Sequence, residues 1–234
     1  MLSIVIPAYN EEQRIIPSLH EIINYFDKEN FEIIVVNDGS TDKTLEKVNA
    51  LNDSRIRIVS YEANKGKGFA VKTGFLAVKG DKVLLTDSDL STPIQAYEKL
   101  VASLVARSCA IGSRGMEQSQ VNNKWHRIIL GKLGNKIIQL LIPGVLDTQC
   151  GFKLFWKEDI QEVADLMRIN GFGYDFELLF LCLKKGMKIN EIPVEWTNAE
   201  GSKVKFYHYF ITLLELVKVS FNNLFGKYKS KRNA

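Results

Sequence analysis

Short, nearly continuous apolar runs alternate with segments of helical spacing along the first half of the chain. Leu2–Ile6 is stopped by Pro7, Phe31–Val36 is stopped by Asn37-Asp38-Gly39-Ser40, and Ser18–Phe26 between them has helix-like spacing. The order is β-α-β. Arg55–Ser60 alternates as a strand does, Gly68–Val78 reads as a helix, and Lys82–Thr86 reads as a buried strand ahead of Asp87. The pattern then predicts a helix over Ser91–Val105, a short strand at Ala110–Ile111, a polar mobile loop over Gly115–Lys124 and a helix over Ile128–Leu141. The segment Asp147–Phe155, a helix over Phe176–Lys185 and a strand over Lys188–Val194 complete the domain. Near-continuous apolar strands alternating with helices predict an α/β fold, a mostly parallel sheet flanked by helices. Such sheets bind ligands beyond the carboxyl ends of their strands, so polar clusters just after strands are the candidates for chemistry.

Phe206, Phe210, Leu213, Val217, Phe221 and Leu224 recur at spacings of three and four, which predicts an amphipathic C-terminal helix ahead of the basic run Lys227–Arg232. The expected division is a main domain over residues 1–202 and a helix with a basic tail over 203–234. That helix pattern suits packing on the core, lying on a membrane surface or joining two copies in a homo-oligomer. Charge sharpens the picture: seven basic residues and one acid from Lys203 onward give the tail +6 of a chain whose net charge is +4. A content of 46% hydrophobic and 25% charged residues excludes disordered and fibrous classes. Ile137–Leu146 and Phe206–Leu214, among the longest uncharged apolar stretches, fall short of the roughly 18 residues a membrane-spanning helix needs. Cys109, Cys150 and Cys182 make neither a disulfide framework nor a C-x-x-C pair, and Met1 runs straight into a strand without signal-peptide order. A cytoplasmic location is expected, with no nucleic-acid partner.

Asp87-Ser88-Asp89 follows a strand directly, and carboxylates two residues apart suit one hard cation, Mg²⁺ or Mn²⁺, that holds the oxygens of a diphosphate. The same three residues also suit a turn with an aspartate capping the next helix. Pro7-Ala8-Tyr9-Asn10-Glu11-Glu12 and Asn37-Asp38-Gly39-Ser40 follow the first two strands, so three polar clusters fall on one sheet edge. There Tyr9 offers a ring for a nucleobase and Asp38 an acceptor for a base imide, beside the ordinary reading of both as turn residues. Asn64-Lys65-Gly66-Lys67-Gly68 opens a helix and suits an anion, though its glycine spacing is not the dinucleotide fingerprint. Arg114, Arg127, Lys153 and Lys203 are cations able to neutralise a leaving diphosphate. No Ser-His-Asp order and no zinc-ligand spacing can be read.

Taken in order, I-V-I-P-A-Y-N-E-E, V-V-N-D-G-S, N-K-G-K-G-F-A-V-K-T-G, T-D-S-D-L-S-T-P and G-S-R resemble the inverting, metal-dependent family 2 glycosyltransferases of the GT-A fold. D-T-Q-C-G-F-K-L-F, Y-D-F-E-L-L-F and E-I-P-V-E-W-T-N-A-E-G-S-K narrow the resemblance to the dolichyl-phosphate glucosyltransferase branch. The resemblance implies that Pro7, Tyr9, Glu11 and Asp38 hold the nucleoside, that Asp87 and Asp89 flank the metal and the sugar diphosphate, and that Arg114, Arg127 and Lys203 contact phosphates, with Lys67 on the donor side. Ser91 stands where relatives often have a metal-contacting Gln.

It implies transfer of glucose from a nucleotide-diphosphate sugar, UDP-glucose, to a polyprenyl phosphate at a membrane surface. Asp89, Arg127 and Lys203 are then catalytic. A phosphate acceptor is already mostly dianionic at neutral pH and needs no strong base, whereas a saccharide hydroxyl would need one, for which Asp175 is the candidate.

Overall fold

Every residue of β1 (Leu2–Ala8) is buried, and its side chains divide by parity: Val5 joins the apolar cluster on one face of the sheet, and Leu2, Ile4, Ile6 and Ala8 join the other. A strand buried on both faces belongs inside a sheet. β1 lies between β2 (Phe31–Asp38) and β4 (Lys82–Leu85), both parallel to it. The computed structural model describes residues 1–122, 138–139, 141–197 and 206–229. Within them β3 (Ile56–Tyr61), β5 (Ser108–Ser113), β7 (Lys153–Trp156) and β8 (Lys188–Pro193) extend the sheet in the order β3-β2-β1-β4-β7-β5-β8. All neighbours are parallel except β7, which runs antiparallel between β4 and β5. The fold is the expected mostly parallel α/β sheet.

Helices cover both faces. α3 (Lys67–Ala77), α5 (Lys157–Ala164), α6 (Tyr174–Lys184) and α7 (Phe206–Leu224) pack on the Val5 side, whereas α1 (Ile15–Tyr25), α2 (Thr44–Ala50) and α4 (Tyr97–Ser103) pack on the other. The approach of α3 depends on Gly74, where a Cβ would overlap Val5 and lie 3.2 Å from Val36 Cγ2.

Some expectations need correction. The helix expected from Ser91 begins only at a 3₁₀ turn over Ile94–Ala96, because Asp89 takes both the amide and the hydroxyl of Ser91 and Pro93 is extended at ψ 139°. The expected loop over Gly115–Lys124 contains a strand, β6 (Gln120–Asn122), paired in parallel with the distant β9 (Glu195–Thr197). The helices α2 and α5 and the strand β7 were not legible as such in the hydrophobic pattern. The helix expected over Ile128–Leu141 lies largely outside the described residues.

On α7, Leu216 and Val219 enter the core, while Leu213, Val217, Phe221 and Leu224 of the predicted stripe are exposed, together with Leu214 and Phe225. Inward placement follows from polar anchors as much as from apolar ones. Tyr228 donates to Glu177 Oε1 at 2.6 Å, Arg168 Nε to the Lys227 carbonyl at 3.0 Å, and Lys184 to Asn223 at 2.6 Å. Among the described residues no helix is long and apolar enough to cross a membrane.

Since α3 carries Lys67 into the site, its seat on β1 is open to test. Gly74→Val should cost about 1–3 kcal/mol through overpacking, and at roughly 2–4 °C per kcal/mol for a chain of this size a thermal melt should fall by several degrees. An unchanged melting temperature would show that α3 is not seated by that contact.

Candidate active site

The register of the sheet brings the polar clusters together. Ala8 pairs with Asn37, and Val5 pairs with Leu85; Thr86 N–H then donates to the Val5 carbonyl at 3.1 Å, so Asp87 leaves the sheet about level with Pro7. β1 has β2 on one side and β4 on the other, the topological switch point of the sheet, outside whose carboxyl ends sheets of this kind bind ligands. β7 enters this edge from the opposite direction. Its first residue, Lys153, pairs with Leu85 of β4 and Ile111 of β5, so an antiparallel strand delivers a lysine where parallel strands end.

Four carboxylates there each meet a cation. Lys67 Nζ lies 2.7 Å from Asp87 Oδ1, Arg14 Nη1 3.4 Å from Asp89 Oδ2, Arg114 Nε 2.7 Å from Asp147 Oδ2, and Lys153 Nζ 2.5 Å from Asp175 Oδ1. The last pair is enclosed: Lys153 has no exposed side-chain surface and also donates to the Cys150 carbonyl at 2.5 Å. Burial of charge is tolerated only with such partners. Burial opposes ionisation of Asp87, yet Lys67, then Lys153 and Arg114, outweigh it and hold the carboxyl below the usual range. For Asp147 burial is likewise outweighed by Arg114, whereas for Asp175 burial prevails over Lys153 and Lys67 and its carboxyl is raised. Burial keeps Cys150 a thiol of raised pKa, consistent with a small core residue.

The turn that carries Asp87 and Asp89 is held tightly. Leu90 adopts φ 46°, a left-handed conformation that costs a branched side chain roughly 1–2 kcal/mol. Asp89 Oδ1 offsets this by accepting from the Ser91 amide and hydroxyl at 3.1 and 2.9 Å. Asp89 therefore caps no helix: one oxygen closes a turn on Ser91 and the other points toward Arg14, which leaves the residue on the site.

On the nucleoside side, Pro7 is buried in β1 and Tyr9 stands at the rim, 38% exposed. Glu11 is turned to Arg14, whose Nε donates to its Oε2 at 2.8 Å. Asp38 accepts from Asn64 Nδ2 at 2.9 Å and from the Lys65 and Gly66 amides at 2.8 and 3.0 Å, which clamps the loop leading into α3. The Tyr61 hydroxyl also lies against Asp38, and burial together with that carboxylate raises the tyrosine's pKa. Asn10, itself at φ 54°, accepts from the Thr41 amide at 2.8 Å and ties the loops after β1 and β2 together.

Of the residues expected from sequence, Tyr9, Glu11, Asp38, Lys67, Asp87, Asp89, Arg114 and Asp175 fall on this edge of the sheet. Arg127 and Lys203 lie outside the described residues. Arg14 and Asp147 were missed as partners. Arg14 had a signal, since it stands three residues after Glu11 where helical neighbours meet; Asp147 had none, because its partner Arg114 is 33 residues away. Arg114 additionally lies over the Trp196 ring at 5.4 Å.

The Lys153–Asp175 pair yields a signed prediction. Lys153→Met leaves a buried carboxylate unpaired, so stability in urea at pH 7.5 should fall by about 3–5 kcal/mol. Asp175 is already raised in the folded protein and rises further in the variant, so the folded state takes up a proton the unfolded chain lacks. Each pH unit of such uptake is worth about 1.4 kcal/mol. The deficit should therefore shrink by at least about 1 kcal/mol between pH 7.5 and pH 5; an equal deficit at both would mean that Asp175 does not carry the charge.

Comparison with known proteins agrees with this architecture. The glycosyl transferase family 2 profile matches residues 3–163. The chain is 35% identical to dolichyl-phosphate beta-glucosyltransferase ALG5A of Trichomonas vaginalis, over 97% of this chain and 75% of that protein. It is 30% identical to the dolichyl-phosphate beta-glucosyltransferase of Homo sapiens, over 97% of this chain and 77% of that protein. Among solved structures, glucosyl-3-phosphoglycerate synthase from Mycobacterium tuberculosis, in complex with Mn²⁺, UDP and phosphoglyceric acid, superposes with a TM-score of 0.71 at 21% identity, covering 100% of this chain and 80% of that one. The chain belongs to glycosyl transferase family 2, in its dolichyl-phosphate beta-glucosyltransferase-like branch.

Proposed function

We propose that this chain transfers glucose from UDP-glucose to a polyprenyl phosphate of the dolichyl type, with inversion at the anomeric carbon. The observation that carries the reading is the extent of similarity to dolichyl-phosphate beta-glucosyltransferases, 97% of the chain rather than its donor-binding half alone. The polar clusters at the β1/β4 switch support it.

Among the described residues no three His, Cys, Asp or Glu side chains gather as a metal cage. Two aspartates on one turn fit a Mg²⁺ or Mn²⁺ ion that takes its other oxygens from a diphosphate and water. Asp87 and Asp89 would hold that ion, which when bound offsets charge growing on the leaving UDP. Lys67 and Arg114 now pair with carboxylates, and an entering diphosphate offers them further oxygens, with Arg127 and Lys203 assigned to the same phosphates. Tyr9 gives the uracil a face and Asp38 a carboxylate for its imide, with Pro7 and Glu11 bounding that end.

An acceptor phosphate monoester has a second pKa of about 6 and attacks without a protein base. In this reading Asp175 holds Lys153 in place; it acts as general base only if the acceptor is a saccharide hydroxyl. The exposed apolar face of α7, with Lys227 and Lys229 behind it, suits the anionic cytoplasmic surface of a bilayer carrying the lipid acceptor. Each basic residue near such a surface contributes about 1 kcal/mol.

Purified protein given Mg²⁺ or Mn²⁺ and radiolabelled UDP-glucose should move label into the organic phase only when a polyprenyl phosphate is present. GDP-sugars should not replace the donor. Asp89→Ala should lower that rate by about a hundredfold or more, on the scale of losing a transition-state electrostatic group, while its melt falls by only several degrees through loss of the Ser91 contacts and the fold is kept. UDP release that needs a saccharide and leaves the lipid phase empty would refute the acceptor assignment.

The pH profile separates the two uses of Asp175. For a phosphate acceptor, kcat/KM for the lipid should rise through about pH 6 and then level, following the acceptor's own ionisation, and Asp175→Asn should lower the rate without moving that midpoint. A midpoint that moves in the variant would make Asp175 the base.

A further inference from the structure

Between α5 and α6 the chain runs through a turn, residues 170–173, that touches three other parts of the molecule at once. Its Asn170 carbonyl accepts from the Gly68 and Phe69 amides at 2.7 and 3.3 Å, capping the first turn of the helix that carries Lys67. Its far end leads directly into Tyr174 and Asp175 at the start of α6. Its flank is held by α7, where Glu215 Oε2 accepts from the Gly173 amide at 2.7 Å. Glycines make this meeting possible. A Cβ at Gly66 or Gly68 would strike the 169–170 backbone, so α3 closes on the turn to a distance only glycine permits, and one at Gly171 or Gly173 would displace the Glu215 carboxylate.

Glu215 is also costly where it stands. Desolvation raises its carboxyl, and the Gly173 and Gly171 amides answer only part of that. A carboxylate placed on a helix otherwise lined inward by Leu216 and Val219 therefore has a local task, to grip this turn.

We propose that Glu215 is a positioning residue for the transferase site: through the 170–173 turn it fixes both Lys67, by way of the Asn170 cap on α3, and Asp175, by way of the start of α6. The C-terminal helix, whose outer face is exposed, is thereby tied mechanically to the charges around Asp87. The inference rests on the proposed reaction only for its kinetic readout; amide exchange reads the same contact without it.

The test compares Glu215→Ala, Glu215→Gln and Val219→Ala, the last loosening the same helix in the core without touching the turn. In the full-length protein, Glu215→Ala should speed native-state exchange of the Gly68 and Phe69 amides about tenfold or more, the scale of losing a charge-assisted hydrogen bond. It should lower kcat for the glucolipid by a similar factor with a smaller change in the KM for UDP-glucose. Glu215→Gln keeps an acceptor for the Gly173 amide and should restore most of both. Val219→Ala should lower the melt and yet leave both readouts within about twofold of the unaltered chain. Unchanged Gly68 and Phe69 exchange in Glu215→Ala, or an equal acceleration in Val219→Ala, would overturn the proposal. If the unaltered protein makes no glucolipid, the proposed reaction fails and the exchange comparison still decides the role of Glu215.

Discussion

Charge taken out of water must find a partner, and at the carboxyl edge of this sheet that requirement organises everything nearby. Asp87, Asp89, Asp147 and Asp175 each face a cation, namely Lys67, Arg14, Arg114 and Lys153. Arg14 is shared with Glu11, its nearer partner at 2.7 Å, and with these contacts the folded chain carries the charges of this edge at a tolerable cost. Cations held in this way are oriented before any further charge approaches, and away from bulk water their electrostatic effect is strengthened.

The pairs come from separate parts of the chain, and the strand order explains how. Parallel β1, β2 and β4 bring the loops around Tyr9, Asp38 and Asp87 to one edge. Antiparallel β7 starts at that edge, so Lys153 arrives as the first residue of a strand rather than the last, with Cys150 and Gly151 packed behind it. Gly151 lies against the Asp87 carboxylate so closely that a Cβ there would displace it. Reversal of one strand thus lets the second half of the chain meet the first at its most acidic turn.

The loop into α3 is gripped from both ends. Asp38 takes the Lys65 and Gly66 amides, and the Asn170 carbonyl takes those of Gly68 and Phe69, so Lys67 stands between two clamps. Clamping of this kind holds the backbone that carries Lys67, so less conformational entropy is lost where the lysine pairs with Asp87. The outer clamp continues through Gly173 to Glu215, which makes α7 part of the support of the site as well as a cover for the core.

Much of this was legible from residue order. The apolar runs of β1, β2 and β4 and the glycine-rich start of α3 declare themselves locally, because a strand buried on both faces and a helix opening are short-range patterns. The polar clusters after those strands, with Asp87 and Asp89, follow once parallel strands are inferred. What needed the tertiary structure is whatever depends on distance along the chain. That Lys153 is fully enclosed, that Arg114 answers Asp147, and that the predicted stripe Leu213, Val217, Phe221 and Leu224 faces outward while Leu216 and Val219 face in, are decided by partners tens of residues away. Periodicity in a helix with apolar residues on more than one face cannot say which side meets the core; polar anchors such as Glu215 and Tyr228 choose it, and their partners exist only in the fold. Local propensity and spacing are written in neighbouring residues, whereas charge pairing and burial are properties of the folded neighbourhood.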